Sequence, residues 1–333
     1  MSAQPGESAL AAAARGVSGE AVSFSRLLAR RFLRNRLAVA AGIFLVLLAL
    51  AALAAPLAAA LFGAPSQIDL LAIGQPPSLA HPLGTDELGR DLLVRLLYGG
   101  RVSLAVGLMA ALCAAVIGTS LGLLAGYFGG RLDSLLMRFA DSVIALPLLP
   151  LLIVLAAVDL GELGIPASIA QSEDVSLYRI VFLIALVGWT TVARLVRGAT
   201  LSLKQREYVR AAEALGASHL RLMAVHILPN AVSPIIVATT LSVGNIILLE
   251  SVLSFLGLGI QPPIPSWGNM LTGAQEVIWS NPMLAVWPGL FIFLTVIGFN
   301  LLGDGLQDAL DPRSTISRRA LRTRAAGKSV TPS

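Results

Sequence analysis

The sequence predicts an all-α, polytopic membrane protein with about six transmembrane helices, and three observations carry that expectation. First, 56% of the 333 residues are apolar and only 13% are charged, whereas a soluble domain carries roughly 25% charged residues; mean hydropathy is +0.80. Second, six stretches are apolar enough to be set against the ~20 residues that span a bilayer core: Leu37–Leu61, Ser103–Phe128, Leu135–Val158, Ile180–Ala193, Ala231–Phe255 and Ala285–Leu302. Third, the 24 Lys and Arg residues are unevenly placed. With the N-terminus inside, all but Arg90, Arg95, Arg101 and Arg179 fall on the cytoplasmic side, and Gly257–Pro282 has none. Such a bias orients a multi-pass chain, so both termini are expected in the cytoplasm. It also accounts for the net charge of +5 without a nucleic-acid partner.

Residues 1–36 read as a cytoplasmic tail and 37–305 as the transmembrane domain. Basic residues precede the first stretch, and Ala58–Ala60 resembles a signal cleavage site. A signal core is about 7–15 residues; this run is longer and reads as a retained helix. The outer segment 62–100 exceeds an ordinary connection. Leu88, Leu92, Leu96 and Leu97 give Glu87–Tyr98 helical periodicity, predicting a short helix on the outer face. Asp86, Glu87, Arg90 and Asp91 there are candidates for contact with a partner protein, with local capping and ion pairing as the equal alternative.

Within the second stretch, Gly118, Gly122 and Gly126 form a ridge that allows close helix packing, inside the chain or against another. The fourth stretch is short unless it begins near Val175. Asp141 and Glu250 lie towards the inner end of the third stretch and the outer end of the fifth. Ionisable groups at membrane depth face protein or a water-filled path. Glu250 is therefore a pathway candidate as well as a candidate structural hydrogen-bonding group. Gly303 and Gly305 around Asp304 suggest a turn, after which 306–333 forms a basic cytoplasmic tail.

Nothing indicates catalysis or a cofactor. Cys113 stands alone, and His81, His219 and His226 fall in separate segments without metal-ligand spacing. Gly327-Lys328-Ser329 has Arg322 where a phosphate loop needs glycine.

The cytoplasmic loop 201–229 is the most informative. Tyr208, Ala211, Ala212 and Leu215 recur at helical spacing and form one apolar face. Gly216 supplies the left-handed residue that closes a helix, and Ser218 caps a second short helix patterned by Leu220, Met223, Ala224 and Ile227. Pro229 then opens the fifth stretch. Basic amphipathic helices can lie on lipid; the alanine-rich surface equally suits docking into a protein groove.

Several motifs resemble those of the ABC-importer permeases of the dipeptide, oligopeptide and nickel branch. Ala211-Ala212-x-x-x-Gly216 with Leu228-Pro229 is similar to that family's E-A-A-x-x-x-G loop, although Arg210 stands in place of its Glu and His226 in place of an Ile. His81-Pro82-Leu83-Gly84-Thr85-Asp86-Glu87-Leu88-Gly89-Arg90-Asp91 resembles a second motif. Leu249-Glu250-x-x-Leu253-Ser254-Phe255-Leu256-Gly257 with Ser266-Trp267-Gly268 resembles a third, and Asn300–Leu306 with Leu310-Asp311-Pro312-Arg313 a fourth. The resemblance implies a type I ABC importer permease fold and a non-catalytic subunit of an ATP-driven peptide importer in the bacterial inner membrane. Nickel or another small solute is the alternative cargo. The implied partners are a second permease, two ATP-binding subunits, a periplasmic or lipid-anchored solute-binding protein, and membrane lipid. The loop becomes the coupling element, with Glu207, Arg210, Ala211, Ala212, Glu213, Gly216, Ala217, Ser218, Leu228 and Pro229 as its site residues. An ion-driven secondary transporter would need carboxylates or broken helices at mid-membrane, whereas the charges here lie near the ends of the stretches.

Overall fold

The computed structural model describes residues 24–158, 161, 162, 164, 166 and 173–310. Expectations for residues 1–23 and 311–333, including the fourth motif's Asp311-Pro312-Arg313, lie outside them. Among the described residues, five helices are long and apolar enough to cross a membrane, and one bent pair can supply a sixth span.

In chain order, α1 (Phe24–Phe32) precedes α2 (Arg36–Leu53), which is capped by the Asn35 side chain accepting the Ala38 N–H. Part of the expected tail is thus helical, and its Phe32 lies beside Gly305 near the end of the last span. The first apolar stretch is not one helix. It breaks at Ala54, and α3 (Ala55–Phe62) starts afresh with Pro56 in its first turn, where a missing N–H costs least.

The second span, α4 (Leu92–Phe128), is longer than expected. The short outer helix anticipated from Glu87 is its first turns, and Asp91 is its N-cap, accepting the Val94 N–H at 2.9 Å. A positive-φ pair, Gly129 and Gly130, ends it. The predicted third span is instead an elbow. Helices α5 (Gly130–Ala145) and α6 (Leu148–Ala157) meet at 87°. Pro147 explains the break: it has no N–H to continue α5, and it pushes Leu146 into extended backbone at ψ 138°.

The fourth span, α7 (Glu173–Lys204), continues well past Ala193 and absorbs the start of the predicted loop. The next elements are α8 (Glu207–Ala214) and α9 (His219–Phe255). The second amphipathic helix expected after Gly216 is therefore not separate; it runs directly into the fifth span. The join is a π-helical turn, Leu222–Ile227, closed by the Leu228 N–H on the Met223 carbonyl. Pro229 follows at once. Its ring would crowd the carbonyl four residues back in a regular α-turn, and the wider turn relieves that. Finally come α10 (Trp267–Glu276) and α11 (Met283–Leu310). The expected turn at Asp304 is absent, because Gly303 and Gly305 are inside α11 and pack against Leu241 and Ala38.

Helix α4 lies along α7, α9 packs on both α4 and α11, and α2 packs on α11. The glycine ridge seals the α4–α7 pair within the chain. A Cβ at Gly118 or Gly122 would stand 2.5 Å from the carbonyl of Trp189 or Ala193. At the end of the bundle away from α8, fully buried Trp267 fills the space over Gly99 and Gly100 and donates its indole N–H to the Leu96 carbonyl at 3.0 Å.

Arginines of α7 hold both arms of the elbow. Arg197 pairs with Asp133 at 2.5 and 2.7 Å, and Arg194 pairs with Asp141. Arg179 donates to the carbonyls of Ala156 and Val158 at the end of α6.

Candidate functional site

The segment between α7 and the body of α9 is built as an anchored, outward-facing platform. Helix α8 ends in a Schellman turn: Ala217 N–H donates to Ala212 O at 3.1 Å, and Gly216 N–H to Glu213 O at 2.9 Å. Gly216 has φ +82° with open space around its Cβ position. Conformation, not crowding, demands glycine there. Ser218 accepts the Arg221 N–H at 3.4 Å and caps α9.

The inward face of α8 differs from the expected one. Val209 is its buried residue and Ala212 is half-buried. They sit on a floor formed by Leu123 and Tyr127 of α4, Val192 and Val196 of α7, and Leu222 and Ile227 of α9. Tyr208, Ala211 and Leu215, grouped with Ala212 by the sequence pattern, point outward. Tyr208 is 44% exposed, Leu215 89% and Leu220 72%. Glu207, Arg210 and Glu213 are also exposed, Ala217 and Leu228 are half-buried, and Pro229 is exposed.

At the floor's edge, Tyr127 Oη and His219 Nδ1 are 2.7 Å apart, and the Lys204 ammonium donates to the Tyr127 carbonyl at 2.6 Å. From the sequence, His219 is weighed only as a metal ligand, and Tyr127 and Lys204 are not singled out. Apart from an aromatic at the end of an apolar stretch, no local pattern marks them.

On the opposite face, the HPLGTDELGRD motif folds into a knot around Asp86. That carboxylate accepts the N–H groups of Leu88 and Arg90, both at 2.9 Å. Its other oxygen takes Arg90 Nε at 2.7 Å and lies 3.3 Å from Arg95 Nε. Asp91 meets His81 at 3.0 Å. Both aspartates are buried, and each caps or pairs locally. Glu87 and Arg90 are half-buried, joined at 3.1 Å, and line a cavity of about 410 Å³.

Glu250 is fully buried. It accepts hydroxyl hydrogens from Ser254 at 2.7 Å and Ser103 at 3.1 Å. Ser103 in turn accepts the Trp267 N–H at 3.3 Å, and Ser254 the Ile260 N–H at 3.0 Å. The carboxylate thus joins α4, α9 and α10 and faces no open path in this conformation.

Fold and site together define a multi-pass helical membrane protein with an exposed helical platform at one end of its bundle. Residues 118–316 match the family of the binding-protein-dependent transport system inner membrane component, and residues 23–77 match the N-terminal transmembrane domain of oligopeptide transport permease C. The chain belongs to the binding-protein-dependent transport family, as a permease subunit of an ABC importer in the inner membrane. Such a permease works with an ATPase and a binding protein. The chain is 43% identical to the glutathione transport system permease protein GsiD of Pectobacterium atrosepticum over 284 residues, 85% of this chain and 89% of that one. It is 39% identical to the oligopeptide transport system permease protein OppC of Bacillus subtilis, over 90% of this chain and 93% of that one. It is 44% identical to the dipeptide transport system permease protein DppC of Alkalihalophilus pseudofirmus, over 72% and 74%.

Proposed function

We propose that this chain forms half of a peptide translocation pathway and performs no chemistry of its own. It pairs with a second permease and is driven by two ATP-binding subunits that dock on α8 and the start of α9. The observation that carries this is the division of labour on α8: Val209 and Ala212 anchor it inward, while Tyr208, Ala211 and Leu215 are left outward. An apolar face held rigidly in an aqueous loop suits a protein groove. The platform and both termini lie in the cytoplasm in this reading, following the Lys/Arg bias, with 37–305 as the membrane domain. Glu87 and Arg90 remain as outer-face contacts for the binding protein. Closure of the motor subunits on ATP would move α8 and switch the open side of the pathway.

Peptide cargo is supported by the relatives' names: glutathione, dipeptides and oligopeptides. Uptake by the complete complex in proteoliposomes, with its binding protein outside and ATP inside, tests it. Radiolabelled trialanine or glutathione should accumulate in an ATP-dependent manner. Accumulation of nickel with neither peptide would overturn the peptide reading.

A further inference from the structure

We propose that the Tyr127–His219 hydrogen bond ties the docking segment to the second span, so that the two move as one body; this rests on the docking reading above. Tyr127 is the penultimate residue of α4, and its side chain is buried. His219 is the first residue of α9 and directly follows the Ser218 cap. Only Ala217 and Ser218 separate it from Gly216, so a displacement of α8 reaches His219 with little slack.

The apolar contacts of α8 with its floor are made by Val209 and Ala212. Apolar packing of that kind is non-directional and tolerates sliding. The 2.7 Å contact between Tyr127 Oη and His219 Nδ1 does not, because a hydrogen bond weakens steeply with misalignment. The rings of Tyr127 and Phe128 both meet His219 edge-on, with centroids 5.6 and 5.9 Å away. Lys204 at the end of α7 steadies the tyrosine from another side, bonding its carbonyl and standing 5.0 Å from its ring centroid. One residue above, Gly126 begins the ridge that locks α4 to α7 through Gly122 and Gly118. Three spans therefore meet at one tyrosine. Tyr127 and His219 are positioning residues: they act through α4, not on the cargo.

Tyr127→Phe isolates the tie, since it removes one hydroxyl and leaves both partners of Lys204, the carbonyl and the ring. The test uses the complete complex with its ATP-binding subunits in nanodiscs. It carries Cys113→Ser and has nitroxide labels at Leu112→Cys on α4 and Ala214→Cys on α8. With the tie intact, electron–electron distance measurements should give one label distance, unchanged between the nucleotide-free and ATP–vanadate-trapped states. In Tyr127→Phe the distance should shift on trapping. His219→Asn, which keeps a polar group at the Nδ1 position, should behave as the parent, and His219→Leu as Tyr127→Phe. A purely structural role would leave the Tyr127→Phe distance independent of nucleotide as well. A parent distance that shifts on trapping, or a Tyr127→Phe distance that does not, overturns the tie. If the ATP-binding subunits fail to stay with the parent complex, the docking reading falls and the tie with it.

Discussion

At Gly216 the sequence and the backbone can be compared atom by atom. The expected left-handed residue is there at φ +82°, and no neighbour lies within 4 Å of its Cβ position. A β-branched side chain at this position costs roughly 1–2 kcal/mol, from backbone conformation alone. Gly216→Val should therefore misdirect the platform and uncouple ATP hydrolysis from uptake while the chain still inserts. Gly216→Asn, whose side chain tolerates the same conformation, should retain most transport. Wild-type uptake per ATP in the valine variant would contradict this. The Ser218 cap was legible for a similar reason, because capping depends on residues within one turn. The tie between Tyr127 and His219 spans 92 positions, and no local rule reaches that far. Asp86 and Asp91 show the reverse case: charges in an outer segment suggested a partner, yet each is consumed by its own loop.

Among the elements, apolar runs located the spans but not their ends. Helices α4 and α7 both extend beyond their apolar stretches, into Leu92–Val102 and Arg194–Lys204, because α-helical hydrogen bonding continues through residues that find partners. The elbow was readable in principle from Pro147, which breaks the third stretch near its middle. Hydropathy averages across it, and the stretch passed for a straight span. The elbow's rigidity should depend on α7. Asp133 is mostly shielded, with its side chain 15% exposed against Arg197. Arg197→Ala should lower the thermal stability of the purified protein by about 1–2 kcal/mol, and the swap Arg197→Asp with Asp133→Arg should recover part of it. A melting curve unchanged in Arg197→Ala would show that the pair does not hold the arm.

For the whole molecule, the two ends of the bundle are built on different principles. The end away from α8 is stapled: Glu250 with its serines and Trp267 over paired glycines fix α4, α9 and α10 to one another, and the Asp86 knot braces the start of α4. The opposite end gathers α4, α7 and α9 under a small platform whose outward face is bare. Motif order pointed to the family, since four motifs in sequence constrain the choice more than any one. What the motifs could not supply was which side of α8 faces outward. A four-residue apolar set defines a face, but the neighbouring helix ends decide whether that face is buried. Here Val209, outside the set, took the inward position. Crosslinking probes therefore belong on Leu215 and Ser218, and not on Ala212, which turns towards the floor.

Photo-crosslinking from Leu215 in intact membranes tests the account most directly. A photoreactive amino acid there should capture an ATP-binding subunit, and capture should change when ATP and vanadate are added. Adducts to lipid alone, with or without nucleotide, would place α8 on the membrane surface and contradict the account.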